Sequence, residues 1–535
     1  MAVWDWLVMA VYLGVVVAAG LWFGRKEDSM EDYFLGGRRI PWGAALLSMV
    51  ATEISAATFL GAPEQGYVRN LTYLQFGIGS ILARFVLAFL FMGIYYQMRV
   101  YTVYGFLSRR FGFPTKNCAA GTFLVGRFFA GGSRLFIASL AVKVVTGVDM
   151  AVAILILGSV AVAYTLFGGI KAVIWTDVIQ AVVLVGGALL SIGALLGDIP
   201  LSIPEIVNLL DEHHKFRLLD SRWHTESGGL ALFSNAYHFI PAILGGLVLT
   251  MATHGTDQAM IQRLLTCKDS FRGKLSMVLS GFLGIGVTCL FIAVGMLLFV
   301  YVTTLPPDHH MVAVSEQLKA SGQNGDFYLH YIIEGLPPGL SGIIIAAVVA
   351  AAMSSIDSEL NAMSATFVND FYQPYFEPDA SQKRFMKVAR IATLVCGAFL
   401  MGVALLIADF YVKNPKTDLL SIALGVMTFF YGGLLGVFLV GLLTSKRGNS
   451  LTNILGLTLS TLLIVSFSYK SKLLPALGLH DPTADSGGFF AWLYNLQLSW
   501  PWFILIGTSI TVGIAVLGMT AKKVLDSYTV APEEK

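Results

Sequence analysis

The sequence predicts an all-α polytopic membrane protein that crosses a lipid bilayer about thirteen times. Three observations predict it. The 535 residues are 56% hydrophobic and 13% charged, with a mean hydropathy of +0.73, whereas a soluble domain carries roughly a quarter charged residues. Apolar runs of roughly 18 to 30 residues recur from end to end, each long enough to cross about 30 Å of hydrocarbon as a helix. The basic residues fall in alternate connections, as an excess of Lys and Arg in cytoplasmic loops requires.

Taken in order, the spans lie near 3–23, 41–63, 73–97, 118–145, 149–167, 171–196, 233–263, 274–303, 338–368, 386–409, 417–442, 449–468 and 499–520, here segments one to thirteen. Segment one follows Asp5 instead of a basic n-region, so it reads as a retained helix and not a cleaved signal peptide. One set of connections carries Arg25, Lys26, Arg38 and Arg39, then Arg99, Arg109, Arg110 and Lys116, then Lys171, then Lys268, Arg272 and Lys274. The same set continues with Lys383, Arg384 and Lys387, with Lys446 and Arg447, and with Lys522 and Lys523. An odd number of spans then puts the N-terminus outside and the C-terminus in the cytoplasm, across the cell membrane. The other set includes two long loops, 197–232 and 304–337, whose amphipathic stretches 203–210 and 312–318 are expected to lie across the outer face as lids. The chain thus divides into a leading helix and loop (1–40), a first five-helix repeat (41–196), an outer loop (197–232), a second five-helix repeat (233–445), and two trailing helices with a short cytoplasmic tail (446–535).

Several function classes are disfavoured. A net charge of +2 with scattered basic residues argues against nucleic acid. Cys118, Cys267, Cys289 and Cys396 form no CxxC pair, so they read as free core thiols. No GxxxxGK[ST] points to ATP-driven pumping, and no HExxH or helical GxSxG points to an intramembrane enzyme. The expected partners are a small solute, an ion and the lipid bilayer, with no obligate protein partner evident.

Ionisable side chains inside spanning segments cost several kcal/mol unless they face a cavity or a partner, and here they cluster. Segment two carries Thr52, Glu53, Ser55 and Thr58; segment seven carries Thr250, Thr253, His254, Thr256 and Asp257; segment nine carries Ser354, Ser355, Asp357, Ser358, Glu359 and Asn361. Segments two and seven each open a group of five helices, and an odd group size gives the two groups opposite orientation. That is the pattern of inverted-repeat transporters, whose first repeat helices are broken around an ion and solute site. On segment nine, Ala351, Ser354, Ser355 and Ser358 share one helix face. Hydroxyl and carbonyl oxygens without a carboxylate cage suit a monovalent cation, sodium over magnesium or zinc. The alternative is that these small residues only line helix contacts. Asp177 and Asp357 read either as site residues or as salt-bridged core acids. Arg127 and Arg134, seven apart on segment four, read either as guanidinium groups holding a solute carboxylate or as partners of Glu53 or another buried acid.

Over nearly its whole length the chain resembles the sodium/solute symporter family. The resemblance is carried by Asp32-Tyr33-Phe34-Leu35-Gly36-Gly37-Arg38, by Tyr164, Gly168-Gly169, Thr176-Asp177 and Gln180, by Gly255-Thr256-Asp257-Gln258 with Gln262-Arg263, and by Ser354-Ser355 with Asp357-Ser358 and Asn361. It implies a LeuT-type fold, a 5+5 inverted repeat with one extra N-terminal and two extra C-terminal helices. By motif, the family's common sodium site maps to the backbone oxygens of Ala51, Ile54 and Ala351 and the hydroxyls of Ser354 and Ser355. A second sodium site of some members maps to Asp177, Ser354, Asp357 and Ser358, with Asp177 either a cation ligand or a gate residue. Ser55, Thr58, Thr250 and Thr253 match positions around the solute, and Arg134 joins them as a candidate anion contact. The chain departs from sodium–glucose members in having Thr253 and His254 where those have an aromatic pair, and in lacking their glutamine within 423–429.

The expected function is sodium-coupled symport of a small polar organic solute, a sugar, sugar acid or other carboxylate, imported by alternating access with Na+ as coupling ion. A proton-coupled carrier using Glu53, Asp177 or Asp357 is the nearest alternative, followed by a channel or a non-transporting solute sensor.

Overall fold

A computed structural model describes residues 2–24, 29–224, 230–413, 419–477, 479 and 488–520, and these are built almost wholly of helices. Of the expected basic clusters, Arg25, Lys26, Lys522 and Lys523 lie outside the described residues. Helix α1 (Val3–Phe23) is followed by two half-helices, α2 (Trp42–Glu53) and α3 (Ala56–Val68), then by α4 (Gln75–Leu90), α5 (Phe113–Thr146) and α6 (Met150–Asp198). A second interrupted pair, α7 (Phe239–Gly255) and α8 (Gln258–Leu265), leads to α9 (Ser270–Thr304), α10 (Leu340–Thr366), α11 (Gln382–Lys413), α12 (Leu419–Leu443), α13 (Ser450–Ser468) and α14 (Trp500–Ala515). Among the described residues nine helices are long and apolar enough to cross a membrane, ten if α2 and α3 form one span. Three shorter apolar helices accompany them, Met150–Ala163, Met427–Leu443 and Trp500–Ala515.

The runs expected at 149–167 and 171–196 form two helices, Met150–Ala163 and Gly169–Asp198, labelled together as α6, which meet at a corner where Gly169 takes φ +50° and ψ −169°. A side chain is strained at that positive φ, so glycine sets the corner.

Helix α10 is the centre of the bundle. Its most apolar window is 89% buried, against 17% for α1, and its run of Ala, Ser and Gly lets neighbours approach closely. The free N–H groups at its start are met from the leading helix: Asp5 Oδ1 accepts from Gly339 N (2.7 Å) and Gly342 N (3.0 Å), an anion at the positive end of a helix. A Cβ at Gly342 would come within 2.6 Å of the Asp5 backbone, so this packing needs glycine. The apolar faces of the peripheral helices point outward, as at Phe89 (80% exposed) and Leu406 (68%), which suits lipid contact.

Two short helices, Ile203–Glu212 and His310–Ser321, pack on α9 near one end of α3, matching the amphipathic stretches read from the sequence. They bury Ile206, Leu210, Met311 and Leu318. Tyr67 Oη and Ser315 Oγ lie 2.5 Å apart, and Lys215 Nζ donates to the carbonyls of Gly66 (3.1 Å) and Tyr67 (2.7 Å), satisfying the end of α3. This is called the lid end below.

Candidate functional site

Helices α2 and α3 meet at a bend of 62°. Ile54 (φ −87°, ψ 82°) and Ser55 (φ −84°, ψ 176°) leave helical geometry, which deprives the carbonyls of the last α2 turn of their usual donors. Helix α10 supplies donors in their place. Ser354 Oγ donates to Ala51 O at 2.9 Å, and Ser355 Oγ donates to Thr52 O at 3.2 Å. Ala351 O lies 3.2 Å from the first hydroxyl and 3.4 Å from the second. Ala51, Ala351, Ser354 and Ser355 therefore converge, and Ile54 sits at the adjoining break.

All five of these residues are buried to 2% exposure or less. The donor set is neutral, made of hydroxyl and carbonyl oxygens that can turn their lone pairs toward one dehydrated monovalent cation. A divalent ion would demand carboxylates. Thr52, whose carbonyl joins the set, is the member that sequence comparison did not single out.

The other three candidate cation ligands lie about one turn further along α10 and on α6. Asp177 and Ser358 are both held by Arg263 of α8, and Asp357 Oδ1 accepts from its neighbour Ser358, from N at 2.6 Å and from Oγ at 3.0 Å. Arg263 was visible in the sequence only as the end of the Gln262-Arg263 motif.

The second interruption separates α7 from α8 at Thr256 and Asp257. Asp257 Oδ1 accepts from Ala259 N (2.8 Å), a side-chain cap that starts α8 where α7 stops. Between the two broken pairs lies a cavity of about 160 Å³. All five residues expected to meet the solute, Ser55, Thr58, Arg134, Thr250 and Thr253, line it.

The cavity also has walls that the sequence reading did not foresee. Phe76 and Trp500 stack with ring centroids 5.1 Å apart, so the last helix, α14, contributes to the site. Glu53, Arg84 and His254 form another wall: Arg84 Nη2 donates to Glu53 Oε2 (2.5 Å) and lies 3.0 Å from His254 Nε2. The Glu53 side chain is 29% exposed, against 1% for Arg84.

The arginines of α5 pair with buried acids, as one reading of the sequence had it, but with acids other than Glu53, which pairs with Arg84. Arg127 instead bridges Asp257 (2.5 Å) and Glu359 (2.6 Å), while Arg134 reaches Glu359 (2.5 Å). Helix α5 packs against α10, which carries Glu359, and Asp257 at the N-cap of α8 lies within reach of Arg127, while Glu53 meets Arg84 of α4.

Broken helices that converge on a buried oxygen cluster and a shared polar cavity define a membrane carrier for an ion and a solute. The comparisons narrow the class. Residues 33–455 match the model of the sodium:solute symporter family, and the chain belongs to that family. It is 28% identical to the sodium/sialic acid symporter SiaT of Proteus mirabilis over 475 residues, covering 88% of this chain and 90% of that one. It is 29% identical to the sodium/glucose cotransporter of Vibrio parahaemolyticus, over 83% of this chain and 81% of that one. Human sodium-coupled monocarboxylate transporter 1 is 28% identical, over 85% and 71%. Among solved structures, a substrate-bound, outward-open Na+-coupled sialic acid symporter superposes with a TM-score of 0.78 at 23% identity, covering 96% of this chain and 97% of that one. The nucleobase-cation-symport-1 family transporter Mhp1 gives a TM-score of 0.53 at 13% identity, over 95% and 98%. The protein is thus a multi-pass membrane transporter whose function is sodium-coupled solute symport, with Na+ as the coupling ion.

Proposed function

We propose that this symporter imports a small polar organic solute, a sugar, sugar acid or other carboxylate, by alternating access on a LeuT-type fold of thirteen spans. The N-terminus and the lid end face outward, the C-terminus is cytoplasmic, and the chain resides in the cell membrane. The first repeat runs over 41–196 and the second over 233–445, with α1 leading and α13 and α14 trailing. The protein acts as a carrier and not as an enzyme.

Sodium binds the carbonyl oxygens of Ala51, Ile54 and Ala351 and the hydroxyls of Ser354 and Ser355. The observation that carries this reading is the pair of hydroxyl–carbonyl links between α10 and the end of α2, made one residue from the cavity wall. An ion there stitches the broken helix to α10 and fixes Ser55 and Thr58 for the solute. The solute then binds more tightly with sodium present, and by linkage sodium binds more tightly with solute. Thr250 and Thr253 face it from the second break. Arg134 meets a solute carboxylate with N–H groups that Glu359 leaves over, since a guanidinium carries five.

Three cavity-lining arginines, Arg84, Arg127 and Arg134, are balanced by Glu53, Asp257 and Glu359. A solute anion therefore enters a site with no net positive charge, which favours solutes that add hydroxyl groups to a carboxylate over simple anions.

Uptake into proteoliposomes tests the reading. A sodium gradient is expected to drive accumulation of the solute that a thermal-shift screen of sugars, sugar acids and short carboxylates returns. Accumulation driven by a proton gradient in sodium-free buffer would transfer the coupling to Glu53, whose carboxylate opens on the cavity.

A further inference from the structure

At the end of the bundle opposite the lids, the residues leading into α2 pack beside the connection from α8 to α9. Gly36 and Gly37 turn the chain with φ +59° and +62°. Ile40 N then donates to Thr266 O at 3.1 Å, which sets Ile40 parallel to Cys267. Both side chains are buried, in one apolar cluster with Ala44 and Ala45. Ser276 Oγ of α9 donates to Trp42 O (2.9 Å) and fixes the start of α2 against it. Between the two segments opens a cleft of about 670 Å³, lined by Arg38, Arg39, Trp42, Lys268 and Arg272.

Four cations thus share one cleft, and neighbouring acids answer only two of them. Arg38 Nε donates to Glu31 Oε1 (3.2 Å) and its Nη2 to Val100 O (3.3 Å), while Arg272 Nη1 lies 3.4 Å from Asp269 Oδ2. Asp32, near Arg39, is engaged by Lys171 Nζ at 3.0 Å. Arg39 and Lys268, both exposed, form no ion pair among the described residues. A guanidinium and an ammonium with unused donors suit phosphate oxygens. The rim is apolar: Trp42 is 38% exposed at the start of α2, and Phe271 is 73% exposed in the first turn of α9. Aromatic side chains at the ends of spanning helices sit at the level of lipid headgroups.

We infer that this cleft binds the phosphate headgroup of an anionic phospholipid, with Arg39 and Lys268 as its charged contacts and Arg272 as a third. Trp42 and Phe271 lie against the acyl chains. Basic pockets at the membrane surface between spanning helices hold such headgroups. The proposed orientation puts this one in the cytoplasmic leaflet, although the binding itself does not depend on it. A soluble phosphate offers the same oxygens but gains nothing from the two aromatic side chains, so lipid is the better occupant. A headgroup seated there ties α2, the first half of one broken pair, to the connection that follows α8, the second half of the other. It does so at the opposite end of α2 from Ala51 and Ile54.

Native mass spectrometry of the purified full-length chain, titrated in detergent with phosphatidylglycerol, phosphatidylcholine or inorganic phosphate, tests this. Phosphatidylglycerol is expected to bind about tenfold more tightly than phosphatidylcholine, and Arg39→Gln combined with Lys268→Gln to remove about tenfold of that affinity. Lys383→Gln combined with Lys387→Gln takes two exposed cations from another basic connection and is expected to leave the affinity unchanged. All four substituted side chains are exposed, so both variants are expected to fold as the parent does. Equal affinity for the two lipids overturns the inference. So does equal weakening by the two double variants, which would reduce the effect to diffuse attraction between a basic face and an anionic lipid. Displacement of phosphatidylglycerol by an equal concentration of inorganic phosphate would assign the cleft to soluble anions and overturn it as well.

Discussion

Glu359, fully buried on α10, accepts from two guanidinium groups, Arg127 Nη1 at 2.6 Å and Arg134 Nη1 at 2.5 Å. Removing one member of such a group leaves charge buried without compensation, which costs on the order of 3–5 kcal/mol. Glu359→Gln is expected to lower the melting temperature in detergent far more than a substitution at an exposed acid such as Asp409, measured side by side. Ser355 acts on affinity and much less on stability. Its hydroxyl donates to Thr52 O, and as one oxygen of the proposed sodium site its loss through Ser355→Ala is expected to raise the half-saturating sodium concentration about tenfold, the equivalent of roughly 1.4 kcal/mol. Sodium-dependence curves of uptake check it, and an unchanged midpoint would move the site elsewhere.

Among the elements, the two broken pairs and the lids differ in how they are held. The breaks are bridged by neutral oxygens and ion pairs in the bundle, whereas the lids pack on α9 and reach the end of α3 through Lys215 and Ser315. Asp326 sits beside the second lid, 7% exposed, with its carboxyl pushed up to about 6 by burial, opposed weakly by His330 and Lys143. The sign follows from proton linkage. Between about pH 4 and 6 the unfolded chain ionises this acid while the folded protein keeps it neutral, so stability falls as pH rises through that window and then levels off. Asp326→Asn is expected to match the parent near pH 4 and to exceed its stability by about 2–3 kcal/mol above pH 7. Melting temperatures across pH would show it; parallel curves would sink it.

At the scale of the whole molecule, ion coupling requires that solute and sodium each strengthen the other's binding, and the cavity lies where both broken pairs can respond. The wall given by Trp500 ties α14 into that response through its stack on Phe76. Trp500→Ala is expected to raise the half-saturating solute concentration about tenfold, in keeping with an aromatic contact of roughly 1–1.5 kcal/mol, while the sodium midpoint measured without solute stays put. A shift in the sodium midpoint of equal size would assign Trp500 to packing instead of solute contact.

The sequence by itself determined the helical, membrane-spanning class, because charge depletion and recurring apolar runs follow from the solvent, and lipid leaves few architectures open. It also determined where the chain breaks: polar runs at Thr52–Thr58 and Thr250–Asp257 mark positions that a continuous lipid-facing helix cannot hold. Local spacing reached the shared face of Ala351, Ser354 and Ser355 for the same reason, since neighbours on one helix are fixed by its period. Only the tertiary structure decided which acid each arginine meets. Arg127 pairs with Asp257 from 130 positions away and Arg134 with Glu359 from 225, and no local period encodes such contacts. It likewise decided that Arg263 stands between Asp177 and Ser358, that Asp5 caps α10, and that Trp500 walls the cavity. Each of these depends on the packing of helices far apart in the chain, where shape and reach choose among several chemically equal partners.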